Sequence, residues 1–184
     1  MAPDPRTLSI VHHPAEVLRR KAEPVGEVTD EIRAVGSRMI ELMREAEGIG
    51  LAAPQVGLSI RMFVADVPPH ENDDTTGLPT ASDGPRLYID PVFSEPDKTF
   101  ESLDEGCLSL PNITGEVRRP RSITITYTDP DGVRRSEAAS GLLARCWQHE
   151  SDHLDGVLII DRMSQMSRLR IRSALRDLEK RASR

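Results

Sequence analysis

Hydrophobic residues along the chain follow two periods, and the switches between them outline the secondary structure. Up to residue 27 neither period holds, and Pro3, Pro5, Pro14 and Pro24 punctuate an irregular stretch. From Thr29 to Glu47 the apolar positions Ile32, Val35, Met39, Leu42, Met43 and Ala46 share one face of a helix. Thr29 or Asp30 can cap its start, and Gly48 can end it. Residues 59–66 (SIRMFVAD) read as a strand. Residues 67–86, rich in Pro, Gly and acid, offer little to bury and read as a mobile surface loop.

Leu87 to Phe93 reads as a second strand, interrupted at Pro91. From Arg121 to Thr128 the pattern alternates, with Ile123, Ile125 and Tyr127 on one face. Asp129-Pro130-Asp131-Gly132 is a turn, and Val133 to Ala139 returns as the hairpin partner. Ser140 then caps a helix reaching Leu154 and stopped near Gly156, followed by a short buried strand at 157–160 (VLII). A second long helix begins near Ser164. Strands and helices in irregular order predict an α+β fold in one domain over 1–184. Its small antiparallel or mixed sheets pack around a central helix, and a further helix closes the chain.

Composition narrows the class. At 184 residues with 3% aromatic side chains, the core must be built from Leu, Ile, Val, Met and Ala. Two cysteines exclude a disulfide scaffold and suit a reducing compartment. No run is long and apolar enough for a membrane span, and the first residues lack a signal-peptide pattern. The expected location is the cytoplasm. A net charge of −6 argues against DNA as a ligand for the whole surface.

Chemistry enters at His149-Glu150-Ser151-Asp152-His153, an H-E-x-x-H on the predicted central helix. Positions i and i+4 share a face, so both imidazoles can reach one metal, and Glu150 stands beside it as a general base. A catalytic metal needs a third protein ligand and an open position. A metzincin protease would place a His at 159, where this chain has Ile159. A thermolysin-like plan needs a downstream Glu, and Glu179 lies in a basic segment. Cys107, in Glu105-Gly106-Cys107-Leu108-Ser109-Leu110-Pro111, is the better ligand, although a lone cysteine is more often a small buried hydrophobe. A third motif, Gly48-Ile49-Gly50-Leu51-Ala52-Ala53-Pro54-Gln55-Val56-Gly57, imitates a dinucleotide fingerprint. It follows a helix instead of a strand, so its glycines are better read as places where backbone approaches a ligand.

GIGLAAPQVG, EGCLSLP and QHESDHLDG, in this order and spacing, resemble the three signature motifs of bacterial peptide deformylases. The resemblance extends to PAEVLRRKA near the start and to the TYTDPDG hairpin. It implies metal-dependent removal of the N-formyl group from the formyl-methionine that begins newly made proteins, releasing formate. Cys107, His149 and His153 would hold one metal, Fe(II), with zinc or nickel also accepted. Glu150 would be the base, and the Gln55 side chain with the Leu108 main-chain N–H would stabilise the oxyanion. Ile49, Gly50, Gly106 and Arg145 would surround the methionine side chain, although Arg145 stands where an apolar residue is expected. Cys146, on the metal face of the helix, reads as a packed neighbour. Arg121 and Glu105 are candidates for a supporting ion pair or an ordinary surface pair. His12, His13 and His70 have no partners at metal spacing and read as loop histidines. Two alternatives are a peptide-bond metalloprotease and an inactive ribosome-binding relative.

Charge is unevenly spread. Residues 162–184 hold eight basic and two acidic residues, a net +6, leaving −12 for residues 1–161. Arg168, Arg172, Arg176 and Lys180 form one ridge of the basic 165–184 helix, opposite Ile171, Leu175 and Leu178. The ridge reads either as a solvated face or as a contact to ribosomal RNA near emerging nascent chains.

Overall fold

The computed structural model describes residues 4–69 and 76–182. It is α+β. Helix α1 (Asp30–Glu45) leads into strand β1 (Gly50–Ala52), a tight 3₁₀ turn (Ala53–Val56) and β2 (Met62–Ala65). Then follow β3 (Arg86–Ser94), β4 (Phe100–Cys107), β5 (Leu110–Pro120), β6 (Ser122–Thr128) and β7 (Arg134–Ser140). Helix α2 (Gly141–Leu154), the short α3 (Ile159–Arg162) and α4 (Gln165–Ala182) complete the order. A five-stranded antiparallel sheet runs β1-β2-β3-β6-β7, and β4 with β5 forms a separate antiparallel pair.

Helix α2 lies between these two sheets and presents a different chemistry to each. Toward the large sheet it offers Leu143, Ala144, Cys146 and Trp147. There Tyr88 gathers the aromatic residues: its ring centroid is 4.7 Å from Phe63, 4.6 Å from Tyr127 and 5.7 Å from Trp147. Helix α1 covers β1 and β2 through Val35, Met39, Leu42 and Met43, as its periodicity predicts. Gly36 admits Leu87, whose Cδ2 would lie 2.5 Å from any Cβ placed there. A third cluster joins β5, α3 and α4 through Val117, Ile159, Met163 and Ile171.

Several local expectations change. The Thr29 hydroxyl does cap α1, accepting from the Ile32 N–H at 3.4 Å. The left-handed residue at the helix end is Glu47 (φ 56°), not Gly48. Gly48 is small for a different reason, because a Cβ there would meet Leu108 at 2.7 Å. Ser140 occupies the N-cap position of α2 but makes no side-chain cap. Its hydroxyl accepts from Thr76, while the carbonyls of Arg121 and Thr80 take the Gly141 and Leu143 N–H groups. Of the loop expected over 67–86, the part from Thr76 to Thr80 is thereby tied to the helix start, and residues 70–75 lie outside the described residues. Pro91 sits at a register shift within one continuous β3, where no ladder donor is needed.

The strand expected at 157–160 is instead an extended lead into the single turn α3. Leu158 N–H donates to the Asp161 carboxylate at 2.8 Å, which starts the turn. Buried Leu158, Ile159 and Ile160 explain why the run looks like a core strand. The β4–β5 hairpin, which carries Cys107, has no counterpart among the expected strands. On β5 the inward positions are Ile113, Gly115, Val117 and Arg119, so a glycine and an arginine interrupt the apolar alternation.

Residues 4–27 contain two short 3₁₀ turns and otherwise run as a strap across the back of the loops. Val11 N–H donates to the Gln55 carbonyl at 2.8 Å, and His13 N–H to the Ser109 carbonyl at 2.9 Å. His12 is exposed. His13 is no ordinary loop histidine: it is buried, with Nε2 3.3 Å from Glu179 on α4. His70 lies outside the described residues.

Gly156 ends the α2 region with φ 72°, and a Cβ there would lie 2.6 Å from the Arg19 carbonyl oxygen. Both the backbone conformation and the close approach exclude a side chain. Gly156→Ala is expected to lower unfolding free energy by about 2–3 kcal/mol, measured by urea denaturation. An unchanged midpoint would contradict this close approach.

Candidate metal centre

Cys107 is delivered by the hairpin and the two histidines by α2. The β4–β5 ladder shifts register between Gly106 and Cys107, so the cysteine leaves the regular pairing as the chain turns. Donor atoms of Cys107, His149 and His153 all lie within 4.8 Å of one another, with Cys107 Sγ 3.3 Å from His153 Nε2. The two rings, one turn apart, have centroids 5.1 Å apart. His149 turns Nδ1 to Glu105 Oε2 at 3.0 Å, which leaves Nε2 for the centre. Burial, reinforced by the charges of His149 and Arg119, holds the His153 imidazole well below its usual pKa. It is therefore neutral, with a lone pair to offer. One sulfur and two imidazole nitrogens, carried on rigid elements, form a donor set that fits one divalent cation with a further position open.

Glu150 is buried beside these groups, and its Oε2 has no hydrogen-bond partner among the described residues. Burial, opposed by the charges of His149 and Arg119, pushes its carboxyl up to about 7. Gly50 makes the room. A Cβ on it would overlap Glu150 Oε1 and sit 2.8 Å from Cys146 Sγ. Cys146 is the packed neighbour anticipated from the sequence: its thiol points to the Ile49 carbonyl at 3.5 Å, and burial raises its pKa well above normal.

Gln55 comes from the 3₁₀ turn after β1 and is almost fully buried. Its Oε1 accepts the Ala52 N–H at 2.8 Å, which fixes the orientation of the amide. Nε2 therefore faces Ser109 Oγ at 3.3 Å and Cys107 Sγ at 3.5 Å. A cleft of about 470 Å³ opens over the centre. Ile49, Gly50, Gln55, Gly106, Leu108 and Arg145 all line it, beside Cys107, His149 and Glu150.

Two expectations need correction. The partner of Glu105 is Arg119, not Arg121. Arg119 faces α2 in phase with Val117, and its Nε and Nη2 donate to the two Glu105 oxygens at 2.6 and 2.9 Å. Arg121 lies beyond Pro120, where its Nε is 3.3 Å from Glu101. Arg145, expected around the methionine side chain, commits its guanidinium elsewhere. It turns inward to Glu105 Oε1 at 2.8 Å and to the carbonyls of Glu101 and Val117 at 2.8 and 3.0 Å. Burial alone would raise the Glu105 carboxyl. The bonds from His149 and Arg119 instead hold it well below the usual carboxylate range.

Sequence reading missed Asp152 as well. Its carboxylate takes Arg119 Nη1 at 2.9 Å and Arg162 Nη2 at 2.7 Å. The available signal was its place three residues after His149, on the face already assigned to the metal. Ile159 lies in the core cluster with Val117 and Ile171, so it leaves no room for the metzincin plan. Glu179 pairs with His13 and contributes nothing to the centre.

Comparison with known proteins agrees with this geometry. The family described as polypeptide deformylase matches residues 7–169. A peptide deformylase of Maricaulis maris is 39% identical over 167 residues, covering 91% of this chain and 91% of the relative. One from Rhodopseudomonas palustris strain TIE-1 is 41% identical over 175 residues, covering 95% and 94%. Among solved structures, peptide deformylase from Plasmodium falciparum superposes with a TM-score of 0.86 at 35% identity, covering 95% of this chain and 97% of that one. The Thermotoga maritima enzyme gives 0.76 at 41% identity, covering 85% and 97%. Sequence and architecture therefore agree that the chain belongs to the polypeptide deformylase family.

Proposed function

We propose that Cys107, His149 and His153 hold one divalent metal ion and that Glu150, Gln55 and Leu108 carry out deformylation beside it. The chain is a hydrolase of the N-formyl group on newly made peptides, with formate as the product. The observation that carries the proposed roles is the convergence of a hairpin thiol, two helical imidazoles and an unpartnered buried carboxylate in one cleft.

When bound, the metal supplies Lewis acidity that brings the pKa of water toward neutrality. Glu150 takes the proton of the attacking water and later gives it to the leaving methionine amine. Its burial suits both halves of that exchange, since a carboxyl pushed up to about 7 holds a proton that an exposed one would lose. Gln55 Nε2, fixed by the Ala52 bond, donates to the oxygen that becomes negative as the formyl carbon turns tetrahedral. The Leu108 N–H is the second donor. Ile49, Gly50, Gly106 and the aliphatic stem of Arg145 form walls for the methionine side chain.

The donor set alone suits zinc. The resemblance described above favours Fe(II) as the native metal, with zinc and nickel accepted. A substrate drawn from nascent chains supports a cytoplasmic location. No described helix is long and apolar enough to cross a membrane. The exposed ridge of Arg168, Arg172, Arg176 and Lys180 on α4 supports docking on ribosomal RNA.

Formate release from formyl-Met-Ala tests the catalytic roles. Gln55→Ala is expected to fold, keep its metal and lose about a hundredfold in rate, and Glu150→Ala at least as much. Near-normal turnover by either would remove that residue from the mechanism, and an inactive wild type would favour the dead-relative alternative. Cys107→Ala should lose stoichiometric metal, whereas Cys146→Ala should retain it. Elemental analysis of protein purified without oxygen should find one iron per chain, and zinc in its place would overturn the iron assignment. Deleting residues 165–184 should abolish cosedimentation with ribosomes at low salt. Unchanged cosedimentation would dismiss the basic ridge as the contact.

A further inference from the structure

Arg145 lies one turn before His149 on α2, on the same face. It is buried, and the structure gives its guanidinium three acceptors on two strands: Glu101 O on β4, Val117 O on β5 and Glu105 Oε1. The Glu105 carboxylate is fully used. Oε1 accepts from Arg119 and Arg145, while Oε2 accepts from Arg119 and meets His149 Nδ1. Arg145 and His149 thus reach opposite oxygens of one carboxylate from successive turns of the same helix.

The donor set is split between two elements, with Cys107 on the hairpin and both imidazoles on α2. Arg145 is a direct tie between those elements, and it holds the main chain of both hairpin strands. Arg145 lines the cleft, and its guanidinium is spent on acceptors within the protein.

We propose that Arg145 is a positioning residue for the metal centre, acting through Glu105 and the hairpin backbone to set His149 against Cys107. The role rests on the metal reading given above. A guanidinium that contacted substrate would act on KM. One that merely filled the core would act on stability. A positioning residue acts on how long the metal stays.

The test uses the full chain loaded with Co(II) and chased with excess EDTA. Metal release, the thiolate-to-cobalt absorption band, and kcat and KM for formyl-Met-Ala are recorded. Arg145→Met keeps the stem and removes the donors. It is expected to release cobalt about 10–100-fold faster, with a shifted absorption band and a KM within about twofold of wild type. Arg145→Lys restores one donor and should fall between Arg145→Met and wild type. It also decides the question where Arg145→Met does not fold, since release at the wild-type rate would then overturn the proposal. Arg162→Met weakens the outer end of the same ion network without touching Glu105, and should release cobalt as wild type does. Wild-type release from Arg145→Met, whatever its melting temperature, reduces Arg145 to a structural residue. A raised KM with unchanged release makes it a substrate contact. A wild-type chain that binds no stoichiometric cobalt overturns the metal reading itself.

Discussion

The buried alternation of Glu105, Arg119 and Asp152 holds the molecule's two halves in register. Glu105 and Arg119 belong to the hairpin and Asp152 to α2, with contacts between 2.6 and 2.9 Å. Two carboxylates flank one guanidinium, so the strongest charges in the interface are paired where water is excluded. Removing any one would take a paired charge from its neighbour where water is excluded. This constraint also defines the interface by polar geometry: opposing apolar surfaces can slide, whereas a bidentate guanidinium–carboxylate pair has one orientation. Cys107, His149 and His153 stand at the edge of that orientation.

The two faces of α2 divide the work. Trp147 and its neighbours bury the helix against the large sheet, which supplies the hydrophobic stabilisation. The opposite face is polar and faces the hairpin, where the same area yields less stability and more directional precision. Glu150, between the two faces, is buried without compensation. Its raised pKa follows from desolvation, and the chemistry assigned to it needs that condition.

Much of the site was legible because its parts are local. The i, i+4 histidines, the glycines around Gln55 and the cysteine after Gly106 each carry their meaning within a few residues. The helices were legible for the same reason, as Met39 and Met43 mark the buried face of α1 by spacing alone. The hairpin was not, because Gly115 and Arg119 occupy inward positions that an apolar alternation should fill. Glycine there admits Met163 and Ser167, and arginine meets two carboxylates distant in sequence. Such choices follow from partners brought near by folding. The same holds for Arg145 and for the Glu105 partner, where the sequence suggested Arg121 and strand phase selected Arg119. The run at 157–160 failed differently, since its burial was evident and its conformation was set by the Asp161 cap.

The strap that precedes α1 ties the loop of Gln55 to the loop of Ser109 from behind, through Val11 and His13. The two loops also meet in front, where the Gln55 amide reaches Ser109 Oγ. Four anchoring points on two loops make a closed ring, and a closed ring cannot open at one point without straining the others. The cleft therefore has a back wall in which the Gln55 amide and the loop following Cys107 are held together. Variation among peptide substrates must be met at the outer rim, by side chains such as Glu47 and Asp104, while the backbone around the reacting group stays fixed.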